Sequence, residues 1–438
     1  MISGRCLALV AITLAVLSGR AGAEAARAQH GDHKTRLPNG LTVIVRENPA
    51  VPAIAVSLLI KVGAGWETEE QAGITNLLQQ VMIKGTTSRS ALDIARASED
   101  IGGSVSGSAD ADFSEIRGSA LARRWWDLLA LIADIALRPS LPDGEIEGER
   151  RIVLRAIRNR QDQPFPLAWD TMMGRLYGGH PYARPALGRA DSVARLDREA
   201  LALHHRRFFG AERMILSVSG DVATGEVVAE AVRLFGAAPA AQAGSDARST
   251  SASAALDRVT VTRPSAQAQI LMGFIAPGVS HPDYPAVKVL ATVLGGGMAG
   301  RLFTELRDKQ GLAYSTGASY PTRVGPSYVL VQLGTAPANA LRAEAGMIRE
   351  IERLRNETLS GEELDRAKSY LLGQFALDRR TNARLAWYAA FFEAEGVGHD
   401  FDERYVRAVG AVTADDVQRV ARAYLSTPTV VSLGPTSP

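Results

Sequence analysis

The chain contains two copies of one sequence pattern, and this internal repeat constrains its fold more than any other feature. Three segments of the first half recur in the same order in the second half, at offsets of 213, 218 and 216 residues: 57–65 and 270–278, 141–146 and 359–364, and 196–201 and 412–417. Matches with almost constant spacing predict that one structural unit occurs twice. At 438 residues the chain also exceeds the length that one hydrophobic core usually covers.

A segment without hydrophobic periodicity separates the two copies. Residues 236–256 are mostly Ala, Gly, Ser and polar residues, a composition that is typical of a linker. We therefore predict an N-terminal unit over residues 36–235 and a C-terminal unit over residues 257–438.

Each unit is predicted to combine strands with helices. In the first unit, residues 36–46 and 53–62 have the composition of strands, and residues 90–102 and 124–137 have the apolar spacing of helices. Strands that follow one another without an intervening helix favour a mostly antiparallel sheet. The predicted fold class is therefore α+β, with two homologous sheet-plus-helices units that can form a clamshell around a chamber.

The N-terminal residues have the features of a secretory signal. Residues 1–23 combine Arg5, an apolar run over residues 7–17 and small residues at 21–23, which is typical of a signal peptide. The apolar run is about half as long as a bilayer-spanning helix, and a retained N-terminal anchor is the alternative interpretation. We expect a periplasmic or secreted protein, without stable membrane insertion, in which residues 24–35 form a polar tail.

The net charge argues against nucleic acid as a partner, and the cysteine content argues against a disulfide in the mature chain. A formal net charge of +2 is too small to indicate nucleic acid as a partner. The single cysteine, Cys6, lies in the predicted signal, so the mature chain would contain no disulfide.

The most informative motif lies in residues 73–86, where apolar residues recur at helical spacing and predict an amphipathic helix. These residues are Ile74, Leu77, Leu78, Val81 and Met82. Asn76, Gln79 and Gln80 occupy positions i, i+3 and i+4, so their three amides share a second face of the same helix.

This helix and its surroundings resemble the pitrilysin/insulinase family of zinc peptidases, whose pattern reads Gly-x-x-His-x-x-Glu-His and continues to Lys-Gly-Thr. Asn76, Gln79 and Gln80 stand where that pattern has His, Glu and His. The family's third metal ligand is a Glu in a frame that residues 149–157 match, with Ala156 at the ligand position. The resemblance extends over nearly the whole mature chain and implies a metallopeptidase-like fold.

The four replacements remove the chemistry of such a metal site. Zinc binds imidazole nitrogens and anionic oxygens or sulfurs, whereas amides offer only weak, neutral carbonyl oxygens. Gln79 also lacks the carboxylate of a general base. His180 has no partner at ligand spacing, and His204 and His205 are adjacent, which is poor for chelation. We expect no metal in this chain and no peptidase activity of its own.

A second motif, in residues 294–314, begins with a cluster of glycines. Gly295, Gly296 and Gly297 could suggest a phosphate-binding loop, but the Lys-Ser/Thr ending of a P-loop is missing. We interpret the cluster as a loop that shapes the wall of a chamber.

The same stretch is similar to the second-half motif of the pitrilysin/insulinase family. In that motif an Arg and a Tyr seven residues apart reach the peptide bound at the zinc of the facing half, and Arg307 and Tyr314 have this spacing. A guanidinium and a phenol are both donors suited to a substrate carbonyl or a developing oxyanion. An Arg in a surface ion pair and a packed Tyr are the alternative interpretation.

The resemblance implies a division of labour between two chains. In the family's bacterial two-subunit branch, which is similar to the mitochondrial processing peptidase subunits, one chain carries zinc and its partner carries the Arg/Tyr pair. We therefore expect a heterodimer in which this chain holds no cofactor and uses Arg307 and Tyr314 to complete the active site of a zinc-bearing His-x-x-Glu-His partner. The substrate would be an unfolded peptide, held extended by strand addition.

Two other interpretations stay open. A non-enzymatic peptide-binding or scaffold protein of the same fold, comparable to core subunits of respiratory complexes, would have no use for Arg307 and Tyr314. A homodimeric peptidase with an unusual site would need a cluster of metal ligands, and the sequence contains none that we can identify.

Overall fold

The computed structural model describes residues 31–242, residue 252 and residues 256–435, so the predicted signal over residues 1–23 and part of the predicted linker lie outside it. The first half contains the strands β1 (His33–Arg36), β2 (Thr42–Glu47), β3 (Ala53–Ile60), β4 (Ser104–Ala109), β5 (Ser114–Leu121) and β6 (Met214–Gly220). They form one sheet in the order β1-β2-β6-β3-β5-β4. Neighbouring strands are antiparallel except for the parallel pair β2 and β6.

Eight helices accompany this sheet within the described part of the first half. They are α1 (Ile74–Met82), α2 (Ala91–Asp100), α3 (Trp125–Leu137), α4 (Asp143–Asp162), α5 (Pro164–Tyr177), α6 (Ala190–Arg195), α7 (Arg198–Phe208) and α8 (Thr224–Phe235). Helices α1 and α3 pack against the β4–β5 end of the sheet, where their apolar residues join one hydrophobic cluster with β3 and β6.

The second half repeats this plan with one strand fewer. Its strands are β7 (Asp257–Thr262), β8 (Ala268–Ala276), β9 (Ser315–Ser319), β10 (Ser327–Thr335) and β11 (Thr429–Gly434), in the order β7-β11-β8-β10-β9. Its helices are α9 (Tyr284–Gly295), α10 (Ala340–Asn356), α11 (Gly361–Leu377), α12 (Asn382–Ala394), α13 (Phe401–Ala411) and α14 (Ala414–Tyr424). A π-helical turn, Phe303–Asp308, precedes β9. No helix among the described residues has the length and apolar character needed to cross a membrane.

The two halves correspond element by element. The order β2-β6-β3-β5-β4 matches the order β7-β11-β8-β10-β9. Helices α4 and α11 begin 218 residues apart, at Asp143 and Gly361, and α7 and α14 begin 216 residues apart, at Arg198 and Ala414. These are two of the offsets found in the sequence. The predicted α+β fold with two homologous, mostly antiparallel halves is therefore confirmed.

Each half also covers the sheet of the other half with one helix. Helix α5 packs on β8 and β11, and α12 packs on β3 and β6. Met172 and Leu176 of α5 share a hydrophobic cluster with Leu271 and Leu433. This exchange explains why seven of the eight residues of β3 are buried, since helices cover both faces of the strand. The two halves form one body with shared cores.

The sequence did not predict several of the observed elements, among them β1, β4 and α5. Strand β1 occupies the end of the segment interpreted as a polar tail, residues 24–35, and Lys34 in this strand forms a 3.0 Å ion pair with Glu393. Strand β4 was not predicted because it lies at the edge of the sheet and has no apolar alternation. Helix α5 was not predicted because its sequence begins with two prolines in its first three residues, which indicate a turn as readily as a helix start.

Candidate degraded metal site and Arg/Tyr motif

Helix α1 is held at its first turn by a buried carboxylate. Gly73 precedes the helix with a φ of +94°, and a Cβ here would lie 2.6 Å from the carbonyl oxygen of Leu187, so glycine is required. The Glu67 carboxylate accepts hydrogen bonds from the backbone N–H groups of Gly73 at 2.7 Å and Thr75 at 2.9 Å. A carboxylate at a helix N-terminus satisfies free N–H groups and interacts favourably with the helix dipole. Sequence reasoning missed Glu67, which no local capping pattern reveals.

The amide face of α1 is buried against β4. The side chain of Gln79 has no exposed surface and that of Asn76 is only 9 % exposed. Within the described residues, neither amide atom of Gln79 has a hydrogen-bond partner, and the Asn76 Nδ2 has none either. Only Gln80 is engaged, because its Nε2 donates to the carbonyl oxygen of Gly107 in β4 at 3.2 Å.

The fourth predicted position lies on the neighbouring helix α4, which packs against α1. Ala156 is half-buried there and offers no donor atom. Glu149, seven residues earlier, is buried and forms a 3.3 Å ion pair with Lys84. Glu149, the only carboxylate within residues 149–157, is therefore already paired with a lysine.

The donor set around α1 does not fit a zinc ion. Asn76, Gln79, Gln80 and Ala156 present neutral amides and a methyl group where zinc needs imidazole or anionic ligands. In the part of the chain that the structure describes, no group of three or more His, Cys, Asp and Glu side chains is placed to hold a metal ion. The structure therefore offers no chemical basis for metal-assisted catalysis at this helix.

The histidines considered in the sequence have structural contacts. The His204 Nε2 lies 3.1 Å from the Thr75 Oγ1 of helix α1, and burial lowers the pKa of His204 to about 3. The His205 Nε2 lies 2.8 Å from the carbonyl oxygen of Ala136. His180 is buried and accepts a hydrogen bond from the backbone N–H of Tyr182.

The glycine cluster of the second motif is required for packing. A Cβ on Gly295 would overlap the backbone nitrogen of Ala318 in β9, and a Cβ on Gly296 would overlap the carbonyl oxygen of Thr292. Gly297 has a φ of +69°, a conformation that side chains rarely adopt. These close approaches let the loop lie directly against the edge strand.

Arg307 and Tyr314 point into solvent. Arg307 lies in the π-helical turn, is exposed, and stacks its guanidinium over the Phe303 ring with 4.8 Å to the ring centroid. Tyr314 is 60 % exposed, while its backbone N–H donates to the carbonyl oxygen of Gly334 at 2.8 Å. Within the described residues, neither side chain makes a hydrogen bond. By contrast, Arg301 is buried and forms two hydrogen bonds, at 2.6 and 2.8 Å, to the Glu363 carboxylate.

The amide set and Tyr314 each lie beside the edge strand of their own half. Asn76, Gln79 and Gln80 adjoin the edge strand β4, and Tyr314 directly precedes the corresponding edge strand β9. No hydrogen bond, ion pair or ring contact joins the two sets among the described side chains. The chain does not bring its two predicted sites together into one.

Comparison with known sequences defines the class of protein. Residues 42–189 match the family described as Insulinase (Peptidase family M16), and residues 195–371 match the one described as Peptidase M16 inactive domain. A protein of Mycobacterium tuberculosis named uncharacterized zinc protease is 30 % identical over 407 residues, or 90 % of each chain. A Bacillus subtilis protein with a similar name is 26 % identical over 386 residues, covering 88 % of this chain and 93 % of that one. The chain belongs to the insulinase family of peptidases, M16, as its motifs predicted.

Solved structures show the same fold. A peptidase M16 inactive domain from Pseudomonas fluorescens superimposes with a TM-score of 0.87 at 22 % identity, over 93 % of this chain and 99 % of that one. A protease from Helicobacter pylori gives 0.85 at 22 % identity, over 92 % and 100 %. A chain of Complex III2 from Candida albicans gives 0.80 at 16 % identity, over 92 % and 96 %.

Proposed function

We propose that this chain is the non-metal-binding subunit of a heterodimeric zinc metallopeptidase, in which Arg307 and Tyr314 bind the peptide substrate. The observation that carries the proposal is a contrast within the molecule. Asn76 and Gln79 of α1 are buried against β4, and no zinc ligand stands at the amide positions. Arg307 and Tyr314, in contrast, are exposed donors without an acceptor among the described residues.

The two exposed side chains are suited to a peptide carbonyl. A guanidinium and a phenolic hydroxyl are strong donors, and donors aimed at a developing oxyanion stabilise the transition state of acyl transfer. Their position at the start of edge strand β9 favours a substrate that lies alongside the sheet, because an edge strand can add an extended peptide through its backbone.

The proposed partner is a homologous chain that carries His-x-x-Glu-His and holds the zinc. Because α5 and α12 already join the two halves of this chain, the chamber would lie between two chains, with Arg307 and Tyr314 facing the partner's metal. The predicted signal favours assembly in the periplasm or outside the cell. This chain would then hold no cofactor of its own.

The first experiment tests the metal and the partner. When the full-length protein is purified from its native host, a partner of similar size with a His-x-x-Glu-His motif should co-purify with it. Metal analysis should find zinc only in that partner. The separated chain should contain no stoichiometric zinc and cleave no peptide. One tightly held zinc per separated chain, or peptide cleavage by it, would refute the proposal.

The second experiment tests the two donors in the reconstituted pair. Arg307→Met and Tyr314→Phe should each lower kcat by roughly a hundredfold to a thousandfold, because each removes a donor to the substrate carbonyl. Peptide-cleavage kinetics with saturating partner measure the effect. Arg342→Met is the matched control, since Arg342 is an exposed arginine on α10 outside the motif. Unchanged kcat in both variants would leave Arg307 and Tyr314 with a structural role only.

A scaffold function is the second candidate, and the likeness to a chain of Complex III2 from Candida albicans favours it. A scaffold would co-purify with partners that lack a zinc motif, and the assembly would cleave no peptide. The same capture experiment therefore separates the two functions.

A further inference from the structure

The second half contains a cavity that the proposed peptidase role does not use. Its volume is about 480 Å³, and it lies between α9, α11, α12 and α13. Aromatic side chains form much of its wall, among them Tyr284, Phe375, Tyr388, Phe392 and Tyr405. Neither Arg307 nor Tyr314 lines it. Concave, largely aromatic sites of this size are the usual form of small-molecule sites.

One lysine in this wall lacks a counter-charge. The Lys288 Nζ donates to the backbone carbonyl oxygen of Tyr320 at 2.7 Å and lies 5.1 Å and 5.2 Å from the ring centroids of Tyr284 and Tyr320. No carboxylate pairs with it within the described residues. Burial alone lowers the pKa of Lys288, to about 8, so the ammonium is protonated at neutral pH at a cost in hydration. It has three donors, and the protein engages one.

The other charged groups of the wall are already neutralised or lie at its exposed side. The Arg379 guanidinium lies between the rings of Phe375 and Tyr388 and forms a bidentate ion pair with Asp402. Asp378 forms an ion pair with Arg384. Arg380 is exposed and donates to the carbonyl oxygen of Leu377. No unpaired carboxylate of the wall would therefore repel an anion placed beside Lys288.

We propose that this cavity binds a small organic anion, in which an aromatic or aliphatic body packs against the tyrosine and phenylalanine rings and a single carboxylate pairs with the Lys288 ammonium. The ligand carboxylate supplies the counter-charge that Lys288 lacks among the described residues. This pairing is favourable because a buried charge is costly unless it is paired. Rings around the ammonium favour an apolar body over a highly charged one such as a phosphate ester.

Calorimetric titration of the full chain tests the proposal with three probe pairs: phenylpropionate, indolepropionate and octanoate, each against its neutral amide. At least one carboxylate should bind saturably at millimolar or lower concentration, and its amide should bind about tenfold or more weakly. No saturable binding by any carboxylate, or equal affinity for acid and amide, would overturn the proposal.

Substitutions locate the site. Lys288→Met should reduce carboxylate affinity to that of the amide, while Lys368→Met should leave it unchanged, because Lys368 also donates to a backbone carbonyl, that of Gly410, but lies outside the cavity. Gln374 lines the cavity and is exposed, so Gln374→Trp should obstruct it without removing core atoms and should weaken acid and amide alike. Retention of carboxylate binding in both Lys288→Met and Gln374→Trp would place the ligand elsewhere.

Discussion

At the scale of single residues, Gln79 shows how far the amide face of α1 has departed from a ligand-binding surface. Its side chain is fully buried, and both amide atoms lack partners within the described residues. An amide that leaves water without gaining a hydrogen bond costs roughly 1–3 kcal/mol. Gln79 therefore destabilises the folded chain relative to an apolar residue of the same size.

Gln79→Leu should raise the free energy of unfolding by about 1–2 kcal/mol, since leucine has a similar volume and no polar atoms to desolvate. Urea denaturation of the full chain measures the change. The control is Gln161→Leu at an exposed position, which should leave stability unchanged. A clear loss of stability in Gln79→Leu would mean that a buried water or another group binds the amide.

His204 makes a pH-dependent contribution to stability. Burial lowers its pKa to about 3, whereas an unfolded histidine titrates near 6.5. Between these values the unfolded chain binds the proton more strongly, so the free energy of unfolding is highest above pH 6.5 and falls as the pH decreases towards 3. The limiting slope for one such group is about 1.4 kcal/mol per pH unit.

His204→Gln should flatten this dependence between pH 6.5 and 4, because glutamine can still hydrogen-bond Thr75 but takes up no proton. Thermal or urea unfolding as a function of pH gives the comparison with the parent chain. His281→Gln, at an exposed histidine, should keep the parent slope. Equal slopes in the parent and His204→Gln would show that folding does not lower the pKa of His204.

At the scale of elements, residues other than metal ligands hold α1 in place. Glu67 accepts hydrogen bonds from the N–H groups at its start, and Gly73 allows the chain to turn into it. Gln80 ties its far side to β4 through Gly107. Packing and capping, rather than ligation, maintain the helix.

Glu67→Gln should destabilise the protein by about 1–3 kcal/mol, because an amide presents one acceptor where the carboxylate presents two, and its NH₂ would face an N–H group. The melting temperature by circular dichroism reports the loss. Glu70→Gln, on the exposed part of the same loop, serves as the control and should melt like the parent. An unchanged melting temperature for Glu67→Gln would show that Glu67 does not cap α1.

At the scale of the whole molecule, a partly buried ion network joins the two halves. Arg323 of the second half forms ion pairs with Asp110 at 2.6 Å and Asp112 at 3.8 Å in the first half. Burial raises the pKa of Asp110, but Arg323 and the hydrogen bonds to the carboxylate outweigh it and hold that pKa below its usual range. The Tyr182 hydroxyl donates to Asp112 and accepts the backbone N–H of Gly325 at 3.1 Å. This network fixes the relative position of the two sheets.

Arg323→Met should cost about 3–5 kcal/mol, since it leaves the buried Asp112 carboxylate without a cationic partner. The melting temperature and the urea midpoint should both fall. Adding Asp112→Asn to Arg323→Met should recover part of the loss, because the uncompensated charge is then smaller. Arg342→Met should be neutral. A small effect of Arg323→Met would mean that the hydrophobic contacts of α5 and α12 suffice to hold the halves together.

The sequence by itself determined the repeat, the α+β class, a helix within residues 73–86 and the neutral side chains at Asn76, Gln79, Gln80 and Ala156. The helix and its amide face follow from periodicity and side-chain chemistry over neighbouring residues, and the repeat follows from comparing segments of the same chain. Spacing also singled out Arg307 and Tyr314, although only the structure showed that both are exposed and lack acceptors among the residues it describes.

Only the tertiary structure decided how the halves exchange α5 and α12 and how Glu67 caps α1. It also decided that Lys288 lines an aromatic cavity with no paired carboxylate among the described residues. Each of these depends on contacts between residues whose partners carry no marker in the local sequence. Burial, which sets the pKa of His204 and leaves Gln79 without partners, is likewise a property of the folded chain. The physical reason is that the desolvation and the pairing of a side chain depend on which residues pack around it. A local sequence pattern does not specify those residues.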